Sequence, residues 1–372
     1  MNQLLAHVAL AFGLLFSQVS TTARADTTTL MELDRTEPFD AMTFHGGYLF
    51  VGQSRKDLNS FYMVHVFDQN QKLIKSIPMS HAIEHLYAYG PDSVLAIGTS
   101  ASPHARHNTV ISFAGGSFQA RDQVVPMTAW ANDWLGTFEG KDYFSDMGGN
   151  PSDEERQNNP RIPAQTIVSI DRYGRAEYLP FRVRGSLNGI IVGEQILVNH
   201  LYDMRVAYRN IQRVNMKTGV SDELFDSPRN RLWDLVTLGP DMIAVSESMG
   251  DRVIFVNHVS KIIKNEVLVE GEPRSIAKVG TCILVGARAK RAVQIISVKD
   301  PGNPSVTGSL DFSTTGGAFH FLEKITVDPQ NGRVYGRSSY PCQIEGACDA
   351  KSWNSVAVSS LEDAALVKAQ CF

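Results

Sequence analysis

An all-β chain built from one repeated antiparallel unit is what this sequence predicts, and three observations predict it. A short apolar strand, a Gly- or Asp-containing turn and a second apolar strand ending in Gly or Ser recur seven times along 372 residues. A third strand follows each pair, and weaker outer strands such as "KLIKSIPM" and "AEYLPFRV" follow some of them. No stretch carries the 3.6-residue apolar spacing of a helix over any length. Three to four short antiparallel strands recurring at blade length are the pattern of a β-propeller. Seven blades are expected, and six are the alternative if one unit is misparsed.

In order, the paired strands are "AMTFHGGYLFVGQ", "HLYAYGPDSVLAIGT", "WLGTFEGKDYFSD", "GIIVGEQILVNH", "LVTLGPDMIAVSE", "IAKVGTCILVGAR" and "KITVDPQNGRVYGRS". The third strands are "YMVHVFD", "NTVISFA", "TIVSID", "NIQRVN", "DRVIFVN", "VQIISVKD" and "NSVAVSS". The hairpin is plainest in "SLNGIIVGEQILVNH", Ser186 to His200, where a tight Gly-Glu turn joins two apolar runs. Ahead of the first unit, "TTTLMEL" predicts a strand that closes the ring as the outer strand of the last blade, removing an exposed sheet edge.

Residues 26–372 therefore read as a single propeller domain. Residues 1–25 read as a signal peptide: "LLAHVALAFGLLF" is too short to span a bilayer, and Ala23-Arg24-Ala25 offers a small-x-small cleavage site. The expected location is secreted and periplasmic. Nothing downstream approaches eighteen consecutive apolar residues, so no membrane span is expected. Cleavage would leave 34 basic against 39 acidic residues, a net charge of −5, which argues against nucleic acid and anionic membranes as partners. Export permits disulfides. Cys342 and Cys348 lie close together in "YPCQIEGACDA" and are the preferred pair. Cys282, inside the apolar "TCILVGA", reads as a buried thiol rather than a partner of Cys371.

A polar residue stands at the head of each inner strand: Asp40, Glu84, Asp133, Asn188, Asp234, Ser275 and Glu323. Five of the seven are acidic, and inner strands run along the propeller axis, so these residues ring one mouth of the tunnel. Crowded carboxylates repel unless protonated, paired with bases or gathered around a hard cation such as Ca2+. The competing reading makes them turn residues that tie blades together.

The segments "AND" at Asn132-Asp133, "LNGI" at Leu187 to Ile190, and "WDL" followed by "VSESMGDRVIFV" resemble the regucalcin/gluconolactonase, strictosidine synthase-like and paraoxonase-like propellers. That resemblance implies a divalent metal, usually calcium, held in the tunnel by Glu, Asn and Asp. Carried over, it points to Asn188 and Asp234, then Asp133 or Asn132, and to Glu84 by place. The function it implies is a metal-dependent hydrolase of the lactonase or esterase kind, in which the metal polarises a carbonyl and His200 or a ring carboxylate activates water. The segments also resemble generic repeat propellers of the NHL and YVTN kind, which often only bind partners. The alternative is accordingly a non-catalytic scaffold for a protein or glycan.

Further residues are expected at the same mouth. The second strands end at Gln53, Asp146, His200, Glu247, Arg288 and Arg337. Arg288, Arg291 and Arg337 suit a substrate carboxylate or phosphate, or neutralise the acids. With Asp40 and Glu323, they would bind a small polar ligand. Trp130, Trp134 and Trp233 suit an apolar patch or a stacked sugar. His200, Tyr202 and Arg205 also permit a polysaccharide lyase. The insertion Ser145 to Ala164 has the composition and length of a lid, with "SDEER" as one capped helical turn. His104 and His107 read as part of a solvated loop.

Overall fold

The computed structural model describes residues 27–33, 39–54, 62–99, 106–125, 131–146, 166–182, 186–200, 210–226, 232–312, 321–339 and 354–372. Seven four-stranded antiparallel sheets form seven blades, which decides the count against six. Their inner strands are Phe39–His45, His85–Ala88, Ala131–Phe138, Ser186–Val192, Leu232–Thr237, Pro273–Val279 and Phe321–Val327. In six blades the other three strands follow in chain order. In blade seven, Thr28–Leu33 takes the outer place beside Asn354–Val358, as "TTTLMEL" foretold. The inner strands of blades one and seven touch, completing the circle.

The core is seven apolar cores, one between each pair of adjacent blades. Phe50, Val64 and Ile77 of blade one pack on Ile83, Leu86 and Ile111 of blade two. On the far side of that second blade, Leu95 and Ile97 meet Phe144 and Val168 of the third. Neighbouring residues Val94 and Leu95 thus point into different cores, because successive side chains leave opposite faces of a strand and both faces are covered. The same logic makes Cys282–Ala287 buried at every position. Gly98 marks how closely blade two is packed: a Cβ there would meet the Ala82 carbonyl oxygen at 1.5 Å.

The chain ends in a helix, Leu361–Cys371, opened by a capping box between Ser360 and Asp363. It lies at the end of the blades away from the ring residues. Thr281, in the turn between the first two strands of blade six, donates from both its amide and hydroxyl to the Cys371 carbonyl. Val367 and Cys371 enter the core between blades six and seven. Among the described residues no helix is long and apolar enough to cross a membrane.

The cysteine expectation needs correction. Cys282 is fully buried but is not a free thiol; it is disulfide-bonded to Cys371, 89 residues away. The apolar setting that argued for an inert thiol is supplied partly by the helix that brings the partner. Cys342 and Cys348 lie outside the described residues. His107 is also reassigned: it sits in the third strand of blade two, Arg106–Ser112, buried, hydrogen-bonded to Asp122 and stacked on His81. His104, Trp130, Tyr202, Arg205 and the 147–164 part of the insertion lie outside the described residues.

Candidate functional site

The ring residues sit inside the inner strands rather than ahead of them, and a local irregularity explains their polarity. The pairing register slips across Asp40, Asn188, Asp234 and Glu323, and just before Asp133 and Ser275, in the first hairpins of their blades. Glu84 alone precedes its strand. A bulge disrupts the ladder locally, so an N–H at or beside it must find another acceptor. Side chains of the second strand supply it. Asp133 donates to Ser145 Oγ at 3.1 Å, Asn188 to Asn199 Oδ1 at 3.1 Å and Asp234 to Ser246 Oγ at 2.9 Å. Sequence reasoning missed Ser145, Asn199 and Ser246, although a Ser or Asn recurring before the last residue of these strands was a visible signal.

The side chains of these ring residues then reach into the next blade. Asn188 Nδ2 donates to the Trp233 carbonyl at 2.5 Å, joined there by Asn199 Nδ2 at 2.7 Å. Asp234 accepts from Leu235 N–H in its own strand and from Ile276 N–H of blade six at 3.0 Å. Ser275 Oγ accepts from Ile325 N–H of blade seven at 3.2 Å. Asp133 takes the amides of Gly189 and Trp134. This is the blade-tying role. An Asp234→Ala substitution would leave the Ile276 amide, mostly buried, without its acceptor, and should cost about 1–3 kcal/mol in a denaturant titration. An unchanged midpoint would refute the latch.

The remaining carboxylates are neutralised by arginines. Glu84 takes a hydrogen bond from Arg106 at 2.6 Å, and the Arg106 side chain is wholly buried. Glu323 lies between Arg274, at 2.9 Å, and Arg288, at 2.7 Å, while Arg288 also reaches Glu272 at 2.9 Å. The Arg274 guanidinium lies 4.0 Å over Trp233, and that of Arg288 lies 4.2 Å over Phe321. Burial alone would raise the Glu323 carboxyl. The hydrogen bond from Arg288 and the charges of Arg274, Arg288 and Arg337 outweigh it and hold the group below its ordinary value of 4.5.

That depression has a definite sign. The stabilisation from the Glu323 pairs is fully present above the unfolded value of 4.5 and is lost as pH falls through the lower folded value. Denaturant titrations between neutral pH and pH of about 3 should therefore show stability falling on the acid side. The fall should be shallower in Glu323→Gln; equal slopes in the two proteins would exclude the ion-paired arrangement.

Glu84, Asp133, Asn188, Asp234 and Glu323 do converge, on a cavity of about 440 Å3 at the tunnel mouth. Met42, His85, Tyr87, Trp134, Trp233, Arg274, Lys324 and Arg337 line it too. Tyr87 and Trp134 meet at 5.5 Å between ring centres, and Trp134 Nε1 donates to Asp142 at 3.2 Å, so this tryptophan is wall rather than outer surface. Burial, seconded by the charges of Arg106, Lys324 and Arg337, pushes His85 down to about 3. Burial likewise raises the Asp133 carboxyl well above its ordinary value. Gln53 and Glu247 are internal: one bonds His65, the other pairs with Arg252. The side chains of Asp40, Asp146 and His200 lie outside the described residues.

These bonds do not favour a calcium ion. Oxygens of Glu84, Asp234 and Glu323 are already taken by guanidinium and amide donors, and no three His, Cys, Asp or Glu side chains among the described residues gather as metal ligands.

No family model matches the sequence, and no curated protein matches it. The fold does have counterparts. A chain in the crystal structure of the mitotic checkpoint complex superposes with a TM-score of 0.59 at 10% identity, covering 92% of this chain and 95% of that one. The WD40 repeats of RRP9 give 0.63 at 7% identity, over 90% and 97%. U3-55K gives 0.62 at 8%, over 90% and 98%. At such identities the likeness concerns architecture: this chain is a repeat propeller of the same build.

Proposed function

We propose that this protein is a non-catalytic binding propeller that recognises a partner protein on its ring face. One observation carries the reading: the described residues of the polar ring predicted to hold a metal are tied into blade-to-blade hydrogen bonds and arginine pairs, which make a stiff rim around the mouth. A rigid rim lowers the ordering cost of association, as a preorganised binding surface should. The sequence lengths between strands support the same face. The long stretches 147–165, 201–209 and 340–353 all join strand ends at the ring side, whereas the longest connection at the other side is 298–304. The WD40-like neighbours are consistent with a scaffold role, although a shared fold does not transfer function. Export is part of the proposal, and the Cys282–Cys371 disulfide supports it.

The test is crosslinking in the native compartment with three proteins: wild type, a rim variant (Met249→Glu with Lys290→Glu, in the turns after the second strands of blades five and six) and an opposite-face variant (Lys217→Glu, in the turn after the third strand of blade four). A partner captured by the first and third but lost from the second supports the reading. Equal capture by all three, or calcium-dependent turnover of a lactone by the pure protein, would overturn it.

A further inference from the structure

The acids of the tunnel mouth are largely matched by bases and amide donors, which the sequence does not lead one to expect. Seven polar residues, five of them acidic, call for a cation. Yet the described carboxylates at this mouth have their oxygens engaged: Glu84 by Arg106, Glu323 by Arg274 and Arg288, Asp133 and Asp234 by backbone amides. Lys324 is held more loosely. It lines the cavity with its side chain 47% exposed, and among the described residues its one ion pair is with Asp234 at 3.9 Å, beyond hydrogen-bond reach. Among the described residues Lys324 donates no hydrogen bond. Arg337 lines the same cavity.

Two surroundings add to this. The depressed basicity of His85 owes most to burial and next to the positive charges of Arg106, Lys324 and Arg337, so the histidine stays neutral and reports a positive local field. Burial holds the Asp133 carboxyl well above its ordinary value and so disfavours its negative form. Meanwhile Tyr87, Trp134, Leu135 and Ile190 give the cavity an aromatic and aliphatic wall. Its volume, about 440 Å3, falls within the range of small-ligand sites, which combine apolar walls with a few fixed polar groups.

We propose that the tunnel mouth takes a carboxylate carried on an apolar or aromatic body, anchored by the Lys324 ammonium with the body against Tyr87 and Trp134. The inference rests on the reading of this face as a recognition surface and says what enters its centre. A partner's acidic side chain beside an aromatic residue and a free aromatic acid present the same chemistry, and the experiment separates them.

The full folded chain is titrated by calorimetry, with Trp134 and Trp233 fluorescence as a second readout, against four probes. These are phenylacetate, neutral phenylacetamide, an acetylated and amidated Glu-Phe dipeptide, and calcium chloride. Phenylacetate should bind with a Kd of about 1 mM or tighter, and the amide at least about tenfold more weakly. Lys324→Met should weaken phenylacetate by about tenfold or more, whereas Lys324→Arg should keep it. Binding of the dipeptide but not phenylacetate would sustain the proposal and assign the carboxylate to a partner chain. Equal binding of acid and amide, an unaffected folded Lys324→Met, or binding of calcium alone would overturn it. So would silence of both carboxylates up to about 10 mM. Partner capture through the rim would survive each of these results, and its loss would leave carboxylate binding to be judged by itself.

Discussion

A Cys371→Ser variant should unfold about 4 kcal/mol more easily than wild type, the entropy that a cross-link across 89 residues removes from the unfolded chain. Two local losses accompany it. The helix carboxyl end is fastened through Thr281 to the Cys371 carbonyl and through Gln370 to Thr307, and both bonds depend on the helix staying docked. Val367 would leave the core between blades six and seven as the helix frayed. Denaturant midpoints of the variant, and of wild type with and without reductant, measure the effect. Coincident midpoints for oxidised and reduced wild type would show that the cross-link contributes nothing.

Deleting Thr28–Leu33 should do more damage. The strand pairs with Asn354–Val358 along its length, and Leu30 and Met31 pack on the core that Met42, Val51, Tyr335 and Val356 form between blades one and seven. Losing two partly buried apolar side chains and a row of backbone hydrogen bonds amounts to roughly 5 kcal/mol or more. That is of the order of a domain's whole stability. The deletion would also bare the edge of a buried strand to other chains. The expected result is loss of a cooperative melting transition together with concentration-dependent association in ultracentrifugation. A monomeric protein melting within a few degrees of wild type would show that the ring closes without this strand.

What was legible in the sequence was periodic, and what was not depended on distant partners. Buried second strands such as Ser93–Thr99 announce themselves as apolar runs because both faces are covered, and seven such runs fix the blade count. The ring positions were legible as well, since a polar residue interrupts each unit at the same place. Their use was not. Asp234 meets Ile276 and Glu323 meets Arg274 only when neighbouring blades stack, 42 and 49 residues apart in the chain. Arg106 gave no sign that it would be buried against Glu84, whereas Arg288 already read as able to neutralise the ring and does pair with Glu323. The 89 residues between Cys282 and Cys371 hid their pairing in the same way.

The place of Phe372 sets how the molecule can be displayed. Exposed, it follows Cys371 beside the turn at Gly280, on the side away from the ring. A bead, surface or fused domain attached there would thus turn the mouth outward, and a tethered copy would offer its binding face to whatever passes.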